Sequence, residues 1–101
     1  MKLNEREQAI ENKFAHDEEL HFKVRAKRNK LAGLWAAEVM GKSKEDANNF
    51  AEFLVTSLLN REQLAKTLKD SFDSAGIDMG AEQLEAKIEE FVVASRKQFM
   101  E

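Results

Sequence analysis

Gly41-Lys42-Ser43 is the stretch of the chain closest to a nucleotide chemistry, because a phosphate-binding loop ends in those three residue types. The full pattern also needs glycine at position 36 and a strand upstream. The chain has Ala36 there, inside a helical pattern, so a phosphate cradle is not expected. Ser71 to Glu82 carries a trace of a calcium loop, with Asp73, Gly76 and Glu82 at loop positions three, six and twelve. Ser71, Ala75 and Asp78 leave it short of the oxygen ligands a hard cation requires, and a plain helix–loop–helix accounts for it better. His16 and His21 are five residues apart, whereas two metal ligands on one helix face want four, so no metal site is expected. His16 remains a candidate pH-sensing residue: an imidazole is titratable near neutral pH, and beside Asp17, Glu18 and Glu19 its protonation could extend helix order toward the N-terminus.

Nucleophilic chemistry has little to build on. The chain has no cysteine and no tyrosine, and no G-x-S-x-G turn. Carboxylates are plentiful, but no pair is set in an apolar run of the kind that separates their pKa values for acid–base work. No catalytic residue, no cofactor and no enzymatic activity are expected. Lys23, Arg25, Lys27, Arg28 and Lys30 form a basic collar without an acid between residues 20 and 30. Its one aromatic neighbour is Phe22, and residues 1–19 beside it carry a net charge of −3 that would repel phosphate, so a nucleic-acid partner is not expected. An acidic arm next to a basic collar is either a solvated helix whose faces alternate in sign or a pair of surfaces for a charged partner.

The elements that position these residues are helical. Proline is absent, glycine occurs four times in 101 residues, and helix formers dominate. Residues 5–41 read as one long helix: Leu20, Val24, Leu31 and Trp35 recur at helical spacing, and Leu34, Val39 and Met40 widen the stripe. Gly33 marks a close helix crossing or a bend, and Gly41 is a natural stop. A helix of that length rises about 50 Å, against a radius of gyration near 13 Å for a compact 100-residue domain. Its apolar-poor N-terminal part is therefore expected to be flexible or protruding.

Ser43 opens a second helix with Asp46 at the capping-box spacing, carrying Ala47, Phe50, Ala51, Leu54 and Leu58 on one face. Asn60, with Gln63, opens a third helix bearing Leu64, Leu68, Phe72 and Ala75. After the loop at 76–80, a fourth helix from about Ala81 to Gln98 presents Leu84, Ile88, Phe91, Val92, Ser95 and Phe99. Trp35, Phe50, Phe53, Phe72, Phe91 and Phe99 are the expected aromatic core. Short connections make consecutive helices neighbours. The expectation is an all-α four-helix bundle over residues 20–101 and an N-terminal partner-binding arm over residues 1–19. No apolar run approaches the ~20 residues that cross a bilayer, so no membrane insertion is expected and the cytoplasm is the expected address.

Glu11-Asn12-Lys13-Phe14-Ala15-His16-Asp17-Glu18-Glu19 and Arg28-Asn29-Lys30-Leu31-Ala32-Gly33-Leu34-Trp35-Ala36-Ala37-Glu38, preceded by Glu5-Arg6-Glu7 and Ala9, carry a resemblance. The chain resembles the alphaproteobacterial ATPase inhibitor zeta subunit family over nearly its whole length. Leu3 and Ile10 stand where aromatics are expected, Asn4 where an acid is common, and Ala32 where a larger apolar residue is common. The resemblance implies a four-helix bundle whose N-terminal segment becomes helical at a catalytic interface between α and β subunits of F1, near the γ shaft. There it would block hydrolysis-driven rotation and permit synthesis.

Leu3, Arg6, Glu7, Ala9, Ile10, Asn12, Lys13 and Phe14 are then the expected partner-binding residues. Lys23, Lys27, Arg28 and Lys30 are a secondary basic contact. The implied partner is F1-ATPase through its α, β and γ subunits, met by a chain that is a monomer when free and is held at the membrane-bound synthase through F1. Two other classes remain open on sequence alone: a small nucleotide-responsive regulatory module, and an adaptor that uses the same arm on another partner.

Overall fold

The computed structural model describes the backbone of residues 2–100 and the side chains of residues 18–100. Its elements are four α-helices, with no strand among the described residues: α1 Lys2–Val39, α2 Lys44–Thr56, α3 Arg61–Ser74 and α4 Ala81–Met100. The expected start of α1, flexible or protruding, falls largely on residues 1–17, whose side chains lie outside the described set.

The helix ends follow from local chemistry. The Ser43 side chain accepts the Asp46 amide and caps α2, while Asn60 and Gln63 form a reciprocal capping box at the start of α3. At the end of α1, Gly41 adopts φ +73°. Its amide returns to the Glu38 carbonyl, and the Lys42 amide returns to Ala37. The end of α3 repeats this double bond pattern through Gly76 and Ile77, which return to Asp73 and Phe72. Ile77 then folds down against the core.

α1 is the helix around which the others pack: α2 and α4 lie along it, α3 touches α1 and α4, and α2 has no extensive packing with α3. The expectation that all consecutive helices are neighbours therefore holds for α1–α2 and α3–α4 but not for α2–α3. The shared centre also changes which α1 residues are core. Ala32, Gly33, Ala36 and Ala37 are buried, whereas Leu20, Leu31, Leu34, Trp35 and Met40 are half-buried and Val39 is exposed. A helix enclosed by several neighbours must be thin where they approach. Bulk comes instead from Leu54 on α2, from Leu64, Leu68 and Phe72 on α3, and from Leu84, Ile88 and Val92 on α4.

Trp35 stands at the rim of this core, edge-on to Phe72 at 5.5 Å and tilted to Phe91 at 6.0 Å, with the Lys87 ammonium 5.9 Å from its ring centre. Three further expectations are corrected. Phe53 is 56% exposed, Ala75 is exposed at the α3 cap, and Leu58 lies beyond the end of α2, exposed.

Gly33 marks a crossing rather than a bend. A Cβ there would sit 2.7 Å from the Ala51 Cα and 3.2 Å from its Cβ, so the backbones of α1 and α2 are nearly in contact. Alanine gains about 1 kcal/mol in helix propensity but forces the helices apart at a backbone atom that cannot rotate away. Gly33→Ala is expected to lower stability by roughly 1–3 kcal/mol, as overpacking does. A urea midpoint equal to or above the parent's would show that the crossing can widen without cost.

Candidate functional site

Residues 1–19 and the basic collar lie on the same helix, α1, whose side chains are described from residue 18 onward. Among residues 18–23 only Leu20 is even half-buried, and Val24 is the first described side chain buried in the bundle. The expected partner-binding residues Leu3, Arg6, Glu7, Ala9, Ile10, Asn12, Lys13 and Phe14, and the candidate pH sensor His16, lie outside the described side chains. His21 is exposed.

The collar divides in two. Lys23 and Lys30 are exposed and Lys27 is half-buried. The Lys23 ammonium lies 3.3 Å from Glu19 one turn earlier, an exposed pair of the kind that contributes about 0.3–0.5 kcal/mol. Arg28 does not stand with them. It is 8% exposed, its Nε donates to Asn29 Oδ1 at 3.0 Å, and its Nη2 donates to the Leu59 carbonyl at 3.0 Å. Burial, with Arg25 and Arg61 nearby, lowers its pKa from the usual arginine value. Two of its donors are engaged inside the protein and the side chain is buried, so Arg28 is a bundle residue rather than part of an open basic surface.

Asn29 is the residue that sequence reasoning missed. Its side-chain amide donates to the Leu54 carbonyl at 3.2 Å and the Leu59 carbonyl at 3.1 Å. Leu58, between them, adopts φ +51°, a left-handed conformation that costs a branched residue about 1–2 kcal/mol. The ends of α1 and α3 place glycine at this position. At the end of α2 a leucine is held there, and Asn29 supplies a donor to Leu54, the carbonyl equivalent to the one that Lys42 and Ile77 satisfy with backbone amides at the other two ends. The Arg28–Asn29 pair is thus a clamp from α1 onto the α2–α3 turn. An uncharged amide among apolar positions of a helix was the available signal.

The other candidate motifs are absorbed by structure. Gly41 and Ser43 end α1 and begin α2. Asp73 pairs with Lys69 at 3.1 Å, and no group of three or more potential metal-ligating side chains is present among the described residues. A cleft of about 550 Å³ between the end of α1, α2 and α3 contains one ammonium, from Lys42, and one carboxylate, from Asp70, so its charges give a polyphosphate no net attraction. No helix among the described residues is long and apolar enough to cross a membrane.

Compared with known proteins, residues 1–98 match the family model described as ATPase inhibitor subunit zeta. No curated protein and no solved structure gives a match.

Proposed function

The chain belongs to the ATPase inhibitor subunit zeta family, and from that membership we propose that it stops ATP hydrolysis by F1 with residues 1–19 as the inserted arm and residues 20–101 as the folded body that delivers it. The family is one of ATPase inhibitors, which implies association with F1-ATPase, and inhibitor subunits of this kind are normally not catalysts. The arm enters as a helix at a catalytic α/β interface beside the γ shaft. Ile10 and Phe14, one turn apart, are its apolar anchors. Leu3, seven residues before Ile10, extends the anchored face, and Ala9 lies on the flank beside it. Arg6, Glu7, Asn12 and Lys13 meet polar groups at the rim of the cleft and contribute orientation more than affinity. Ordering a segment on binding costs about 2–5 kcal/mol or more of the interaction energy, so a few buried apolar contacts must carry much of the affinity.

The observation that carries this reading is that the family match begins at residue 1 and so includes the arm along with the bundle. The packing supports it: the described part of α1 gives the bundle no buried side chain before Val24. The test is directional. Added to inverted membrane vesicles bearing the cognate synthase, the chain is expected to suppress ATP hydrolysis while proton-driven ATP synthesis persists. Equal suppression of both directions would contradict a one-way block, and no suppression of either would contradict inhibition by this chain.

A further inference from the structure

We propose that the bundle carries a second docking surface for the ATPase, an apolar recess rimmed by lysines that takes an acidic helical surface of the enzyme. It rests on the reading of this chain as an inhibitor of that ATPase. Phe22 and Ala26 on α1, Val55 on α2 and Phe99 on α4 meet around a hollow of about 310 Å³. Phe22 is 53% exposed there, too much for a side chain that serves only the core. A second hollow of about 350 Å³ shares Lys30 and Val55 with the first and adds Leu34 and Ala51, with Asn48 and Glu52 on its polar side. Together they make an apolar strip along α1 from Phe22 to Leu34. Twelve residues of helix rise about 18 Å, which is room for roughly three turns of a partner helix.

The charge says which helix. Lys23, Lys27 and Lys30 line the first hollow, Gln98 is its one uncharged polar residue, and no carboxylate lines it. Lys23 has Glu19 beside it, and Glu52 lines the second hollow together with Lys30. Lys27 and Lys30 have no carboxylate partner among the described residues. An apolar floor whose lining carries three lysines against one carboxylate, Glu52, fits an amphipathic helix with acidic flanks. A flat anionic bilayer fits less well: the apolar side chains line a recess, and exposed Glu18 and Glu19 adjoin it on the same helix. The strip is also continuous with the arm, because Phe22 follows Phe14 by eight residues, about 12 Å along α1. A partner that grips the arm therefore holds this face near its own surface at high effective concentration.

The test compares binding of the full chain to purified cognate ATPase with that of Phe22→Ser, the double variant Lys27→Glu/Lys30→Glu, and Phe14→Asp. Melting temperatures of all four are measured alongside. Both recess variants are expected to bind about tenfold more weakly at unchanged melting temperature, the charge reversal mainly through slower association and with a weaker dependence on salt. Binding by both recess variants that equals the parent's overturns the proposal. Phe14→Asp separates the two readings. If it inhibits like the parent while the recess variants bind weakly, the arm is not the inhibitory element and the recess stands. If the recess variants keep full ATPase affinity and instead lose self-association in sedimentation, or lose attachment to anionic vesicles, the occupant is a second copy or a membrane and the proposal fails.

Discussion

Phe72→Ala is expected to destabilise the protein by about 4 kcal/mol, near the middle of the range for removing a buried phenyl ring. Phe72 has no solvent exposure and is the largest fully buried side chain among the described residues. Its ring meets Trp35 of α1 edge-on at 5.5 Å. Its backbone carbonyl accepts the Ile77 amide that closes α3. Removing the ring therefore opens a cavity where α1, α3 and the 76–80 loop converge, and the Gly33–Ala51 crossing keeps α1 and α2 from moving together to fill it. Domains of this size are stable by about 5–15 kcal/mol, so the variant spends a large part of the total. At roughly 4–8 °C per kcal/mol, its melting temperature should fall by about 15–30 °C. A fall below about 5 °C would mean that the core does not converge on Phe72.

Local signals were the legible ones. Ser43, Asn60, Gln63, Gly41 and Gly76 all fulfil the capping roles their types suggest, because each acts on amides or carbonyls within a few residues. The stripes Leu64–Leu68–Phe72 and Leu84–Ile88–Val92 are buried as their spacing predicts. Readings failed where a position depends on a distant element. On α1 the large apolar residues marked only part of the buried face, since the central helix contributes alanines and Gly33 where its neighbours press in. Phe53 follows the apolar composition of α2 but faces solvent, because α2 is packed mainly on α1 and leaves that side uncovered. Arg28 looked like one of five equivalent cations, and the difference is the Leu59 carbonyl, 31 residues away. Of the candidate site, the Ile10–Phe14 spacing is a reading of the sequence that falls outside the described side chains, the lysines at 23, 27 and 30 are legible as a basic run, and the apolar recess they line needs Val55 and Phe99 from other helices.

Phe14→Asp carries the largest expected functional effect. Phe14 is the one phenylalanine in residues 1–19, a segment with six acids and three bases, and a family of ATPase inhibitors matches the chain from its first residue. In the proposed complex its ring leaves water for a cleft between subunits. A carboxylate in its place would have to be stripped of water with no partner designed for it, a cost of several kcal/mol, or more than a thousandfold in affinity. The first described side chain buried in the bundle, Val24, lies ten residues further along α1, so the substitution is expected to leave the bundle's stability unchanged. The most direct measurement is ATP hydrolysis by purified cognate ATPase titrated with the parent chain and with Phe14→Asp, with a melting curve for each protein. The parent should reduce hydrolysis in a dose-dependent and saturable way, and Phe14→Asp should leave it unaffected at the same concentrations while melting within a degree or two of the parent. Inhibition by Phe14→Asp equal to the parent's would contradict the arm as the inhibitory element, and a much lower melting temperature would place Phe14 in the bundle core instead.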